Sequence, residues 1–99
     1  MENQKTISEW GFKTFGYPKD AIVIVKRMLK ESNELEEAIK SDVTYDMIAD
    51  ECADIYIVMC HVFATMGFDL HACVDHKMEI NRARKWKISG DGTGQHIKE

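Results

Sequence analysis

The sequence predicts an all-α protein, a bundle of about four helices that forms one domain over residues 1–99. Apolar residues recur at helical spacing in two long segments, whereas no segment of useful length alternates in the manner of a strand. A chain of 99 residues has room for one hydrophobic core. Capping residues and the single proline divide this chain into helical segments.

Capping residues and helix breakers set the predicted helix bounds. Thr6 opens a T-x-x-E pattern, which is the form of a capping box, and Gly16 ends the short first helix. Pro18 stands at the first position of a long helix, where proline is tolerated, and Thr44 and Asp69 are the predicted N-caps of the next two helices. The predicted helices span residues 7–15, 18–40, 45–66 and 70–86, and the glycine-rich tail of residues 87–99 is predicted to be a loop.

Composition and charge exclude several classes of protein. Seventeen acidic and thirteen basic residues give a net charge of −4, which disfavours duplex nucleic acid as a partner because phosphate contacts need clustered Lys and Arg. No run approaches the ~20 apolar residues of a membrane span, so no membrane partner is expected. The first residues lack the apolar stretch of a signal peptide, and the three cysteines lack C-x-x-C spacing. We therefore expect reduced thiols and a cytoplasmic location.

Each long helix carries a glutamate inside its apolar face. Glu31 in the first and Glu51 in the second lie within about 80° of the apolar residues, and a further carboxylate, Glu34 or Asp54, follows three residues later and about 60° to the same side. The apolar positions are Ile24, Met28, Leu35 and Ala38 in the first helix and Ile48, Ile55, Val58 and Val62 in the second.

Carboxylates in an apolar face are costly unless they are paired, protonated or bound to a metal. If the two faces meet, Glu31, Glu34, Glu51 and Asp54 converge and repel one another unless cations neutralise them. Oxygen ligands of this kind suit Mg²⁺ or Mn²⁺. The sequence therefore predicts a metal site formed by these four residues.

The last predicted helix has a cationic end. Lys77, Asn81 and Arg84 are spaced i, i+4, i+7, so they share a helix face that suits phosphate oxygens. A solvated basic helix end that complements the macrodipole explains the same spacing. Spacing alone leaves both interpretations open.

The second long helix predicts an oligomer. Residues 55–68 contain no Asp, Glu, Lys or Arg, and a helix that is apolar all round must be buried all round. The other helices of so short a chain cannot cover it, so we expect a homodimer or a dimer of dimers whose core includes Ile57 and Phe63. His61, within this stretch, is interpreted as a core or interface histidine rather than a ligand.

Three motifs together resemble a known family. E-S-N-E at residues 31–34, E-C-A-D at residues 51–54 and K-x-x-x-N-x-x-R at residues 77–84 are similar to the metal and phosphate motifs of the MazG-like all-α nucleoside triphosphate pyrophosphohydrolases. The opening W-G-F at residues 10–12 and the tail at residues 90–96 resemble short phage and bacterial members. The resemblance spans nearly the whole chain and implies a MazG-like helical fold.

The resemblance also implies an activity. Nucleoside triphosphates are cleaved between the α- and β-phosphates, which gives a monophosphate and pyrophosphate. The four carboxylates would hold Mg²⁺ or Mn²⁺, and Glu34 would also orient or deprotonate the attacking water. Lys77, Asn81 and Arg84 would hold the phosphates. Members of the family form dimers or tetramers, in agreement with the apolar second helix.

The substrate is less well specified by the sequence. Trp10 and the aromatic residues that follow it could stack on a base or close one end of the bundle. The resemblance favours purine deoxynucleotides such as dGTP or dATP. The alternatives are a pyrimidine (dUTP or dCTP) pyrophosphohydrolase and a non-enzymatic dimeric regulatory module. A di-iron carboxylate bundle is disfavoured because no His follows an acidic residue at the Glu-x-x-His spacing.

Overall fold

A computed structural model of the chain describes residues 1–98 and confirms the all-α class. Four α-helices and one short two-stranded antiparallel sheet make up the secondary structure of these residues. The helices are α1 (Gln4–Phe15), α2 (Ala21–Lys40), α3 (Tyr45–Met66) and α4 (Leu70–Ala83), and the strands are β1 (Trp86–Ile88) and β2 (Gly94–His96).

The helices pack around α3. α2 lies along α3 in the most extensive helix contact, α1 crosses the C-terminal half of α3, and α4 touches α3 lightly. The buried apolar residues Ile7, Cys60 and Leu70 come from α1, α3 and α4, and Ile57 and Phe63 pack against them. The apolar part of α3 is partly covered within one chain, since Cys60 is buried and Ile57 and Phe63 are partly buried. The covering of Ile57 and Phe63 by a second copy stays a prediction.

Two helix starts differ from the predictions because other residues supply the caps. Asn3 caps α1: its side chain accepts from the Thr6 N–H at 3.0 Å, and the Thr6 hydroxyl accepts from the Asn3 N–H at 2.9 Å. This box starts α1 at Gln4, three residues before the predicted start. Asp20 caps α2 by accepting from the Val23 N–H at 3.2 Å, so Pro18 precedes the helix instead of opening it. α3 has its predicted bounds, with Thr44 as its N-cap.

The C-terminal segment differs from the prediction in two respects. α4 ends at Ala83, and Arg84 is its C-cap with extended backbone angles (φ −81°, ψ 154°). The tail is not all loop, because Lys87 pairs with Gln95 at the centre of the β1–β2 hairpin. Strands of three residues are too short to show alternation in a sequence. The indole of Trp86 donates to the Asn81 carbonyl at 2.9 Å and ties the hairpin to α4.

No single helix within residues 1–98 is long and apolar enough to cross a membrane, and α3 and α4 have that length and composition only as a pair bent by 97°.

Candidate metal centre and adjoining cavity

The contact between α2 and α3 brings three predicted ligands together. Glu31, Glu51 and Asp54 each offer one carboxylate oxygen, and these oxygens all lie within 4.8 Å of one another. Glu31 is buried, Glu51 is partly buried and Asp54 is exposed, so the cluster runs from the helix contact out to the surface. Glu34 is exposed and stands outside this group of three, one turn along α2 from Glu31.

The charge and burial of this cluster suit a divalent cation. Removal from water raises the pKa of Glu51, and the negative charges of Glu34, Asp54 and Glu31 raise it further. One oxygen of Glu51, Oε2, is buried and has no hydrogen-bond partner among residues 1–98. A buried carboxylate oxygen without a partner raises the free energy of the fold, and coordination to a metal ion would remove that cost. The donor set is all carboxylate, as Mg²⁺ and Mn²⁺ prefer.

An arginine that the sequence analysis did not identify adjoins the cluster. Nε and Nη2 of Arg27 both lie 2.9 Å from Oε1 of Glu31, one helical turn away on α2. The side chain of Arg27 is 58% exposed, whereas that of Glu31 is 5% exposed. The sequence did contain a signal for this pair, because residues spaced i, i+4 are neighbours on a helix and Arg27 precedes Glu31 by four positions.

A cavity of about 670 Å³ opens beside the cluster, within the size range of small-molecule sites. α1 contributes Phe12 and Phe15 to its wall, α2 contributes basic residues, and two of the clustered carboxylates lie at one side. The cavity therefore combines an apolar aromatic wall with cations and carboxylates. Its lining consists of Gly11, Phe12, Phe15, Gly16, Pro18, Val23, Ile24, Lys26, Arg27, Lys30, Glu31, Asp54, Val58 and His61.

His61 lies at the contact between α1 and α3, close to Gly11. Its ring packs edge-on to Phe12, with centroids 5.9 Å apart, and occupies the space beside Gly11 that a Cβ would fill. Burial lowers the pKa of His61, and a hydrogen bond to the Ile57 backbone offsets part of that effect. The ring belongs to the cavity wall and lies outside the carboxylate group, in agreement with its interpretation as a core or interface histidine rather than a ligand.

Four residues predicted to contact the substrate lie outside this lining. Trp10 is 53% exposed and packs edge-on against Phe15, which itself lines the cavity. On α4, Lys77 and Asn81 are one turn apart. Arg84 is the C-cap, and its N–H still donates to the Ile80 carbonyl at 3.2 Å. The predicted helix end at residue 86 is wrong, because α4 ends at Ala83. The phosphate-binding role of these residues stays a prediction.

Comparison with known proteins finds similar proteins in phages. No family model matches the chain. A dATP/dGTP diphosphohydrolase of Salmonella phage PMBT28 is 36% identical to it over 94 residues, and one of cyanophage S-2L is 33% identical over 73 residues. The MazG-like pyrophosphohydrolase of cyanophage S-2L, solved with dGDP and three catalytic Mn²⁺ ions per active site, superposes with a TM-score of 0.78 at 28% identity. The match covers 97% of this chain and 90% of that one.

The chain has the MazG-like fold and is similar to a MazG-like pyrophosphohydrolase over nearly its whole length. The resemblance predicted from the acidic motifs is thereby confirmed. The two curated relatives are longer than the region they share with this MazG-like chain, which spans 30% of the Salmonella phage protein and 65% of the cyanophage protein. The matched regions cover 95% and 74% of the chain itself.

Proposed function

We propose that this MazG-like chain hydrolyses purine deoxynucleoside triphosphates, dATP or dGTP, to the monophosphate and pyrophosphate with a divalent cation. The observation that carries the proposal is the convergence of Glu31, Glu51 and Asp54 beside a cavity walled by aromatic and basic residues. Two relatives named as dATP/dGTP diphosphohydrolases and a structural neighbour that binds dGDP and Mn²⁺ support it.

Four carboxylates would hold the cation. Glu31, Glu51 and Asp54 form the inner set, and Glu34 adds a ligand or a base at the exposed edge. A bound Mg²⁺ or Mn²⁺ supplies neutralisation of phosphate charge and lowers the pKa of a coordinated water. The helices fix the inner carboxylates in place before substrate arrives, so little reorganisation is needed during the reaction. The role of Glu34 toward the water is part of the proposal.

The cavity has one region suited to the phosphates of a nucleotide and another suited to its base. Lys26, Arg27 and Lys30 lie on the α2 side, next to the carboxylates, where phosphates would meet both cations and metal. Phe12 and Phe15 offer ring faces and edges to a base at the α1 side. We therefore place the triphosphate along α2 and the base against α1.

A panel of triphosphates tests this function. Pyrophosphate release is measured from dATP, dGTP, dCTP and dUTP with Mg²⁺, with Mn²⁺ and with a chelator. Metal-dependent release from the purine deoxynucleotides is expected. Preferential release from dCTP or dUTP would favour the pyrimidine alternative, and no release from any triphosphate with either metal would favour the non-enzymatic module.

The exposed surface supports assembly with further copies of the chain. The solvent-accessible area is 8000 Å², whereas a folded monomer of this mass exposes about 5800 Å². The excess of about 2200 Å² is comparable to the area that stable protein interfaces bury. A dimer or tetramer would remove much of this excess from water.

One face of α3 is suited to that contact. Tyr45, Ala49, Cys52 and Tyr56 lie within about 60° of one another between the start and the middle of α3, and all four are exposed. α1 packs on the C-terminal half of α3, and α2 packs on the side that carries Glu51, so this face stays exposed. We infer that a second copy packs against this face, which we term the α3 face.

A further inference from the structure

We propose that Arg27 couples metal binding to nucleotide binding. Its guanidinium pairs with Glu31, a carboxylate that a divalent cation would bind, and it would contact the phosphates of the nucleotide when that cation displaces it. The inference rests on the proposed function, since it assumes a divalent cation and a nucleotide in the same cavity.

The contact of Arg27 with Glu31 makes the guanidinium a competitor for the metal. Both of its nitrogens approach a single oxygen, Oε1, at 2.9 Å. Glu31 belongs to the group whose oxygens lie within 4.8 Å of one another, so a cation held there would be close to that oxygen. A divalent ion and a guanidinium repel each other, and both favour the same carboxylate. Metal binding therefore weakens the ion pair.

The displaced guanidinium remains beside the substrate. Arg27 lines the same cavity as Glu31 and Asp54, and its side chain is 58% exposed, so its end can turn without disturbing the core. The planar fork of an arginine matches two phosphate oxygens at once. Phosphates placed next to the carboxylates would thus accept the guanidinium that the metal releases.

The exchange makes the two ligands cooperative. Without nucleotide, Arg27 weakens metal binding because it competes for Glu31. With nucleotide, the phosphates hold the guanidinium away from Glu31, and it no longer competes with the metal. By linkage, the factor by which nucleotide tightens metal binding equals the factor by which metal tightens nucleotide binding. Removing Arg27 should reduce that factor from both directions.

Direct measurement of Mn²⁺ binding tests this coupling without turnover. Mn²⁺ is titrated into the full chain by electron paramagnetic resonance, with and without a dGTP analogue that carries a non-hydrolysable α,β bridge. Arg27→Gln should bind Mn²⁺ alone roughly fivefold or more tightly than the wild type, and its coupling factor should fall toward one. Arg27→Lys keeps a charge without the fork and should lie between the two. Lys40→Gln, which removes an exposed cation of α2 outside the cavity lining, serves as the control and should keep the wild-type coupling factor.

The outcomes separate this inference from the proposed function. If Arg27→Gln binds Mn²⁺ alone no more tightly than the wild type, Arg27 merely orients Glu31 and the proposal is wrong, whatever the activity. If the wild type binds Mn²⁺ and releases pyrophosphate but Arg27→Gln retains its coupling factor, only this inference fails. A wild type that binds no Mn²⁺ contradicts the metal centre and this inference together.

Discussion

The imidazole of His61 lies against Gly11, in the space that a side chain at residue 11 would occupy. This contact joins α1 to α3 at the cavity wall. Glycine inside a helix costs about 1 kcal/mol relative to alanine, so α1 alone would be more stable with alanine there. The close approach of the two helices explains why glycine is required instead.

Gly11→Ala should destabilise the chain, even though it raises helix propensity. The added methyl overlaps the imidazole, and such overpacking costs about 1–3 kcal/mol. Chemical denaturation should show a lower midpoint. In a His61→Ala background the same substitution should cost far less, because the overlapping ring is gone. A stabilising Gly11→Ala in the wild-type background would contradict the contact.

The chain should lose stability on mild acidification through His61. Burial lowers the pKa of this imidazole below 6.5 in the folded state, so the unfolded chain binds the proton more readily. The stability linked to His61 is therefore complete above pH 6.5 and declines as the pH falls from there toward the folded-state pKa. Unfolding free energies measured between pH 8 and pH 5 with a chelator present should show this decline.

His61→Gln should flatten that pH dependence, whereas His71→Gln, at an exposed position on α4, should leave it unchanged. Glu51 changes the stability in the opposite direction. Because its pKa is raised, it takes up a proton as the pH falls, which relieves the repulsion among the carboxylates and stabilises the fold. The contribution of His61 is therefore obtained from the comparison of the variants. Equal slopes in the wild type and His61→Gln would show that the ring is not titrating in this range.

Glu51→Gln should abolish metal-dependent activity and stabilise the metal-free chain. The amide keeps the shape of the side chain and removes a charge that Glu34, Asp54 and Glu31 repel. The unfolding temperature in chelator should rise, and Mn²⁺ should no longer raise it. Glu36→Gln, which removes a surface partner of Lys40 at 3.3 Å, should be nearly silent in both measurements. Near-normal turnover of Glu51→Gln at saturating Mg²⁺ would contradict the assignment.

The sequence predicted the parts of this molecule that depend on local spacing. Glu31 and Glu51 stand among apolar residues at helical periods, so their convergence required only that the two faces meet, as they do. The cavity depends on how α1 crosses the other helices, and helical periodicity contains no information about that crossing. The β1–β2 hairpin and the early end of α4 before Arg84 were missed because short strands and helix ends have weak sequence signals.

Lys30→Ala should lower turnover efficiency for every nucleotide alike. Lys30 lines the cavity beside the carboxylates, and the phosphates it would contact are common to all substrates. Lys40→Ala, at the exposed end of α2, is the matched control and should be nearly silent. kcat/KM is measured over several deoxynucleotides for both variants. A change in base preference without loss of efficiency would mean that the nucleotide lies the other way round.

Arg84→Ala tests the phosphate site predicted on α4. If that site binds the phosphates, Arg84→Ala lowers kcat/KM for every nucleotide, and Arg82→Ala lowers it much less. If only the residues of α2 hold phosphates, Arg84→Ala resembles Arg82→Ala. Arg84 stands outside the cavity lining, so from the structure we expect its loss to matter less than that of Lys30.

Ala49→Arg should separate the assembled protein into monomers. Residue 49 belongs to the α3 face, is exposed in the single chain and is not part of its core, so an arginine there does not disturb the folding of one copy. Packed against a second copy, the same arginine would be buried without a partner, which costs several kcal/mol. Sedimentation should show a dimer or tetramer for the wild type and a monomer for Ala49→Arg, with unchanged helical circular dichroism.

Ala72→Arg makes the same replacement at an exposed position of α4 and should sediment as the wild type does. A wild type that sediments as a monomer at micromolar concentration would contradict the inferred interface, and an Ala49→Arg variant that stays assembled would move it away from the α3 face.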